Sequence, residues 1–182
     1  MENQFRLHFR PSFLDKINTL YYRLKGVRIG SNSYIQWRAK LERFPKNISI
    51  GNNTIIKPYT RICACNKNSS IKIADNVSIG HFSFIYSSLE ISIGDRCMVA
   101  PFSYLVDSNH DVKKGVKPFE TNNICEPIVI KDDCWIGQNS TILAGSIMNN
   151  ESVLGAKSLL RCEVKEKEIF AGIPAKLITE RK

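Results

Sequence analysis

Three histidines and six cysteines carry most of the acid–base and nucleophilic potential of this 182-residue sequence. His110 draws attention first. It sits in the polar stretch VDSNHDVKKGVKPFETNNICEP, beside Asn109 and with Asp107 and Asp111 as its nearest carboxylates. Imidazole changes charge near neutral pH, so a histidine held there can take a proton from a weakly acidic group. A lone loop histidine is ordinarily just solvated, and only a scaffold that positions it makes it a candidate base. His81 follows Gly80 and reads either as a structural residue or as an acceptor contact, while His8 has no distinguishing context. Cys63-Ala64-Cys65 is too close and too isolated for a zinc site, and the sequence has no CxxC pair. No metal site is expected.

The scaffold shows in a period of six. Aliphatic residues recur at Ile130, Ile136, Ile142, Met148, Leu154 and Leu160, and two residues before each lies Ile128, Cys134, Ser140, Ser146, Ser152 or Ser158. Such a period is neither helical nor a plain alternation. It marks a parallel β-helix of repeated short strands and turns. The lattice runs back through Ile29, Ile35, Leu41; Ile50, Ile56, Ile62; Ile73, Ile79, Ile85; and Ile93, Val99, Leu105. Extra residues enter only after each third repeat, which implies three strands per coil, a triangular prism of about six coils, and insertions at one corner. Coil starts such as IGSN, IGNN, IADN, IGDR and IKDD suit tight turns. The insertion at 106–127 is the longest, and long excursions from rigid scaffolds are where function concentrates.

These elements predict an all-β molecule in three parts: an N-terminal helical cap over 1–28, a β-helix over 29–162 with the loop 106–127, and a tail over 163–182 ending in a short helix. Ser12 with Asp15 reads as a capping box and Gly26 as a stop. Phe13, Ile17, Leu20, Tyr21 and Leu24 form one stripe in a basic segment. That helix either closes the open end of the coil or rests on an anionic membrane. The formal charge of +9 fits anionic partners, but the cations are dispersed without a nucleic-acid module, so no nucleic acid is expected. No apolar run reaches the roughly 20 residues of a membrane span and no signal peptide is visible. Inward-slot thiols such as Cys97 and Cys134 read as buried and reduced, implying a cytoplasmic protein, with the inner membrane face as its further station.

Four pieces in order, IGDRCMVAP, SNHD, IVIKDDCWIGQNSTILAGS and AGIPAKLI, resemble the hexapeptide-repeat acyltransferases. The likeness is to the maltose and galactoside O-acetyltransferase branch, and within it to enzymes of capsule, colanic acid and O-antigen acetylation. It covers about residues 29–178 and implies a left-handed coil, acetyl-CoA as co-substrate, and a homotrimer with sites between subunits. It implies His110 as general base in acetylation of a sugar hydroxyl, oriented by Asp107, Asp111 or a backbone carbonyl. Turn amides around Ala144 and Gly145 are implied as oxyanion donors. Trp135, Gly155, Ala156, Lys157, Arg161, Ile173, Pro174 and Lys176 are implied along acetyl-CoA. His81, Phe82, Asp107, Asn109 and Asp111 fall on the acceptor side. Two departures, Phe82 where the branch has Asn and Asp111 where it has Pro, argue against a simple galactoside acceptor. Other acceptors (an amino sugar, serine or an antibiotic) and a non-catalytic or metal-binding prism remain open alternatives.

Overall fold

The computed structural model describes residues 9–112, 115 and 117–181. Its strands stack into a parallel β-solenoid with three faces. The first face has seven strands, from Arg28–Ile29 to Glu163–Val164; the second has eight; the third has six, from Lys40–Arg43 to Leu159–Leu160. Pairing keeps the six-residue lattice in register: Ile62 lies beside Ile85, Ile85 beside Leu105, and Leu105 beside Ile142. The inward aliphatics form one column of core, with Ile35, Ile56, Ile79, Ile136, Ile142, Leu154 and Leu160 fully buried.

Polar side chains hold successive coils together at the corners. The Asn52, Asp75, Asp95 and Asp132 side chains each accept from the main-chain N–H one coil earlier, at Ser31, Asn52, Asp75 and Asp95, over 2.7–2.9 Å. Asn150 continues the ladder to Asp132 N–H. The repeated Asn and Asp of the coil starts are thus interlocking acceptors. Inward hydroxyls do the same across coils: Thr60 donates to Gly80 C=O and Ser140 to Gly155 C=O. Gly80 and Gly137 have no room for a side chain, since a Cβ would fall 2.4 Å from the Pro101 and Ala156 nitrogens of the next coil.

Among the described residues one α-helix, α1 (Phe13–Leu24), covers the start of the coil, with the expected Ser12–Asp15 capping box and Gly26 just past its end. Its orientation was left open by the sequence. The stripe Phe13, Ile17, Leu20, Tyr21 and Leu24 faces outward, while Asp15, Asn18, Thr19 and Tyr22 are buried. The reason is backbone demand. Asn18 Nδ2 donates to the carbonyls of Ile35, Gln36 and Ala39; Thr19 Oγ1 accepts from Ile35 N–H; Asp15 Oδ1 accepts from Trp37 N–H. The first coil has no earlier coil to bond, and polar side chains substitute for it. Burial pushes the Asp15 carboxyl up, but the Trp37 and Ser12 hydrogen bonds, with Gln36, hold it below the usual carboxylate value.

The tail supplies a correction. Glu168–Gly172 and Ala175–Glu180 form an antiparallel hairpin, not a helix, and its first strand extends the second face beside Val153 and Leu154. Bare strand edges at the end of the coil favour pairing over the local helical preference of AKLITE.

Replacing Asn18 by Ala should therefore lower the free energy of urea unfolding by about 1–3 kcal/mol, because buried carbonyls lose their donor. An unchanged unfolding curve would show that α1 is not what completes the first coil.

Candidate active site

After Val106 the chain leaves the prism at the corner between the third and first faces. Ser108–His110 and Asn123–Cys125 pair antiparallel, with His110 opposite Asn123, so the excursion begins and ends as a two-stranded arm. The arm and the third face enclose a cavity of about 1050 Å³. Among its walls are Asn109, His110, Asp111, Ala144 and Arg161, five residues anticipated from the sequence. His110 is exposed to this space, and its main-chain N–H donates to Asn109 Oδ1 at 2.9 Å.

Asp107 does not join them. It is wholly buried, and its carboxylate accepts from Ser87 Oγ (2.7 Å), Ser88 N–H (2.6 Å) and Leu89 N–H (2.9 Å). It closes the turn of the previous coil and is shut off from any acceptor. Gly145 also differs from expectation: its N–H donates to Glu126 C=O at 3.3 Å, and its φ of +77° favours glycine. The amide proposed for an oxyanion is already engaged.

Other walls of the cavity were not anticipated: Arg43, Tyr86, Tyr104 and Glu126. Tyr86 and Tyr104 are outward residues of third-face strands, with ring centroids 6.3 Å apart. Partial burial raises both phenols above their usual value. Outward aromatics beside the inward lattice were the available signal. Glu126 could have been found as the last carboxylate before the lattice resumes at Ile128.

The remaining anticipated residues lie elsewhere on the prism. Ala156 and Lys157 line a cavity of about 320 Å³ with Phe102, Gln138 and Asn139, at the corner between the second and third faces. His81 and Phe82 occupy the same corner. Phe82, at φ +56°, stacks between Tyr59 (4.7 Å) and Phe102 (5.2 Å). Arg38 hydrogen-bonds the Tyr59 hydroxyl at the end of this ladder. Partial burial and the Lys57 charge pull His81 below the usual imidazole value, against the opposing effect of its hydrogen bond to Pro58. Trp135 is half exposed on the second face. Gly155 N–H bonds Phe170 C=O. Ile173, Pro174 and Lys176 are exposed at the turn of the terminal hairpin. The anticipated residues therefore form separate groups that one chain does not bring together. Among the described residues no three His, Cys, Asp or Glu side chains are grouped to hold a metal ion, and no helix is long and apolar enough to cross a membrane.

No family model matches the sequence. Relatives do. The putative lipopolysaccharide biosynthesis O-acetyl transferase WbbJ of Escherichia coli (strain K12) is 33% identical over 116 residues, 59% of each chain. The putative colanic acid biosynthesis acetyltransferase WcaF of the same strain is 30% identical over 146 residues, 80% of this chain and 76% of that protein. Among solved structures, the Bacillus cereus N-acyltransferase AntD, in complex with dTDP-4-amino-4,6-dideoxyglucose and coenzyme A, superposes with a TM-score of 0.81 at 20% identity. That alignment covers 95% of this chain and 92% of AntD, a likeness of fold. The hexapeptide-repeat acetyltransferase VCA0836 of Vibrio cholerae, complexed with acetyl coenzyme A, gives 0.66 at 26% identity, over 94% of this chain and 80% of that one. The chain spans about half to three-fifths of the length of the first two relatives it matches. It belongs to the hexapeptide-repeat acetyltransferase family.

The buried Asp107 separates a structural from a binding role. Asp107→Ala should cost about 1–3 kcal/mol of unfolding free energy, as two main-chain N–H groups lose their acceptor. A variant as stable as the parent in thermal and urea melts would return that carboxylate to the site.

Proposed function

We propose that this protein is an acetyl-CoA-dependent O-acetyltransferase that modifies a sugar hydroxyl in surface-polysaccharide assembly, with His110 as general base. The observation that carries this reading is the placement of His110, Asn109 and Asp111 in one large cavity with Arg161 and two tyrosines. The acceptor hydroxyl attacks the thioester carbonyl while the imidazole takes its proton. The C–S bond then breaks as the tetrahedral intermediate collapses, and the imidazolium returns the proton to the departing CoA sulfur. No covalent enzyme intermediate is needed. Arg161 offers a guanidinium for a phosphate or a glycan carboxylate at the edge of this space. Tyr86 and Tyr104 offer ring faces and hydroxyls to a sugar.

Acetyl-CoA as donor is supported by family membership and by the acetyl coenzyme A bound to VCA0836. The polysaccharide setting is supported by the names of WbbJ and WcaF. We assign Ala156 and Lys157 to the donor, with Gly155, Trp135, Ile173, Pro174 and Lys176 along its length, and His81 and Phe82 to the acceptor. The scatter of these groups over two corners and a face supports assembly as a homotrimer, where the ladder corner of one prism meets the arm of the next. Six unpaired cysteines support a cytoplasmic setting, and the basic N-terminal segment a station at the inner face of the membrane.

The test is CoA-thiol release from acetyl-CoA against nucleotide sugars, free glycans and lipid-linked sugars. With the acceptor found, His110→Ala should lower kcat about 10²–10⁴-fold, while the acetyl-CoA dissociation constant changes by no more than about threefold. Turnover retained in that variant removes the histidine from the mechanism.

A further inference from the structure

Among the described residues the outward stripe of α1 has no covering partner in the protomer. Phe13 and Leu24 are 76% and 80% exposed, and Leu14, Ile17, Leu20 and Tyr21 are each 44–56% exposed. Residues 13, 17, 20 and 24 repeat at helical spacing along one line, with Leu14 and Tyr21 widening it. The opposite side is fixed to the first coil by Asp15, Asn18 and Thr19. This helix is held by its polar face and shows its apolar face to the outside, the reverse of an ordinary surface helix.

Charge identifies what covers that face. On a helical projection Lys16 and Arg23 border the stripe on one side and Lys25 on the other, while Arg10 and Arg28 lie beyond its ends; all five are exposed. The one acidic residue of the helix, Asp15, is turned inward. An apolar strip edged by cations fits an interface with acyl chains at its centre and anionic headgroups at its margins. A second copy fits poorly, because it would set the same cations against one another. At 12 residues, roughly 18 Å, the helix is too short to span a bilayer and long enough to lie along one.

We propose that α1 is an in-plane membrane anchor that seats the open end of the prism on an anionic phospholipid bilayer. The arm carrying His110 leaves the fourth coil, about 15 Å of coil stacking from the first, so seating the molecule in this way keeps its cavity close to the lipid surface. The inference stands on α1 alone. Its failure would leave the transfer reaction untouched, because the test reads lipid binding and not turnover.

The test is co-sedimentation of the full chain with phosphatidylcholine vesicles, with and without phosphatidylglycerol. Binding should require phosphatidylglycerol and weaken with added salt. The double variant Ile17→Glu and Leu20→Glu should bind at least about tenfold more weakly. Because both side chains are already exposed, its unfolding midpoint and its mass in solution should match the parent. The proposal is overturned if the parent ignores both vesicles, if it binds them equally, or if the double variant binds like the parent. A lower solution mass in the double variant would also overturn it, by making the stripe a contact between copies.

Discussion

The constraint behind this molecule is that each coil's main-chain hydrogen bonds run to the coils on either side. Inside the stack that demand is met automatically, and the Asn–Asp ladder and inward hydroxyls reinforce it. It becomes costly in three places: the two ends of the stack and the point where the chain leaves a corner. Each of those places carries a specific device. The polar face of α1 meets the first coil, a hairpin meets the last, and the buried Asp107 carboxylate closes the turn behind the arm.

These devices also explain where chemistry can sit. Successive coils are closely stacked, with glycines at Gly80 and Gly137 allowing main chain to meet main chain. A space of about 1050 Å³ is formed where the arm lifts away and the third face stands opposite it. His110 lies on a paired strand of that arm, and pairing gives a loop residue some of the fixed geometry that general base catalysis needs.

Much of this was legible in the sequence because the lattice is so regular. Ile62, Ile85, Leu105 and Ile142 are neighbours in space for the same reason that they are spaced in sequence. His110, Asn109 and Asp111 could be anticipated from the long corner insertion, and Ala144 and Arg161 from the resemblance to the acyltransferase family. What misled were local patterns whose environment was set from elsewhere. The stripe on α1 did not say which side of the helix meets the coil, and the first coil's need for hydrogen-bond partners turned the polar side inward. AKLITE has helical preference, yet an unpaired strand edge lay beside it. Asp107 sits among polar residues and looks available, whereas the turn beneath it required an acceptor. Tyr86 and Tyr104 passed unnoticed because outward positions of a solenoid are usually indifferent to residue type.

The central claim is that acyl transfer takes place in the cavity bounded by the arm and the third face. A crystal structure of the protein with acetyl-CoA tests it most directly. The account predicts the thioester carbonyl within a few ångströms of the His110 ring, in a cleft walled by two copies of the chain. A thioester bound elsewhere on the prism, with the His110 ring turned into bulk solvent, would contradict it.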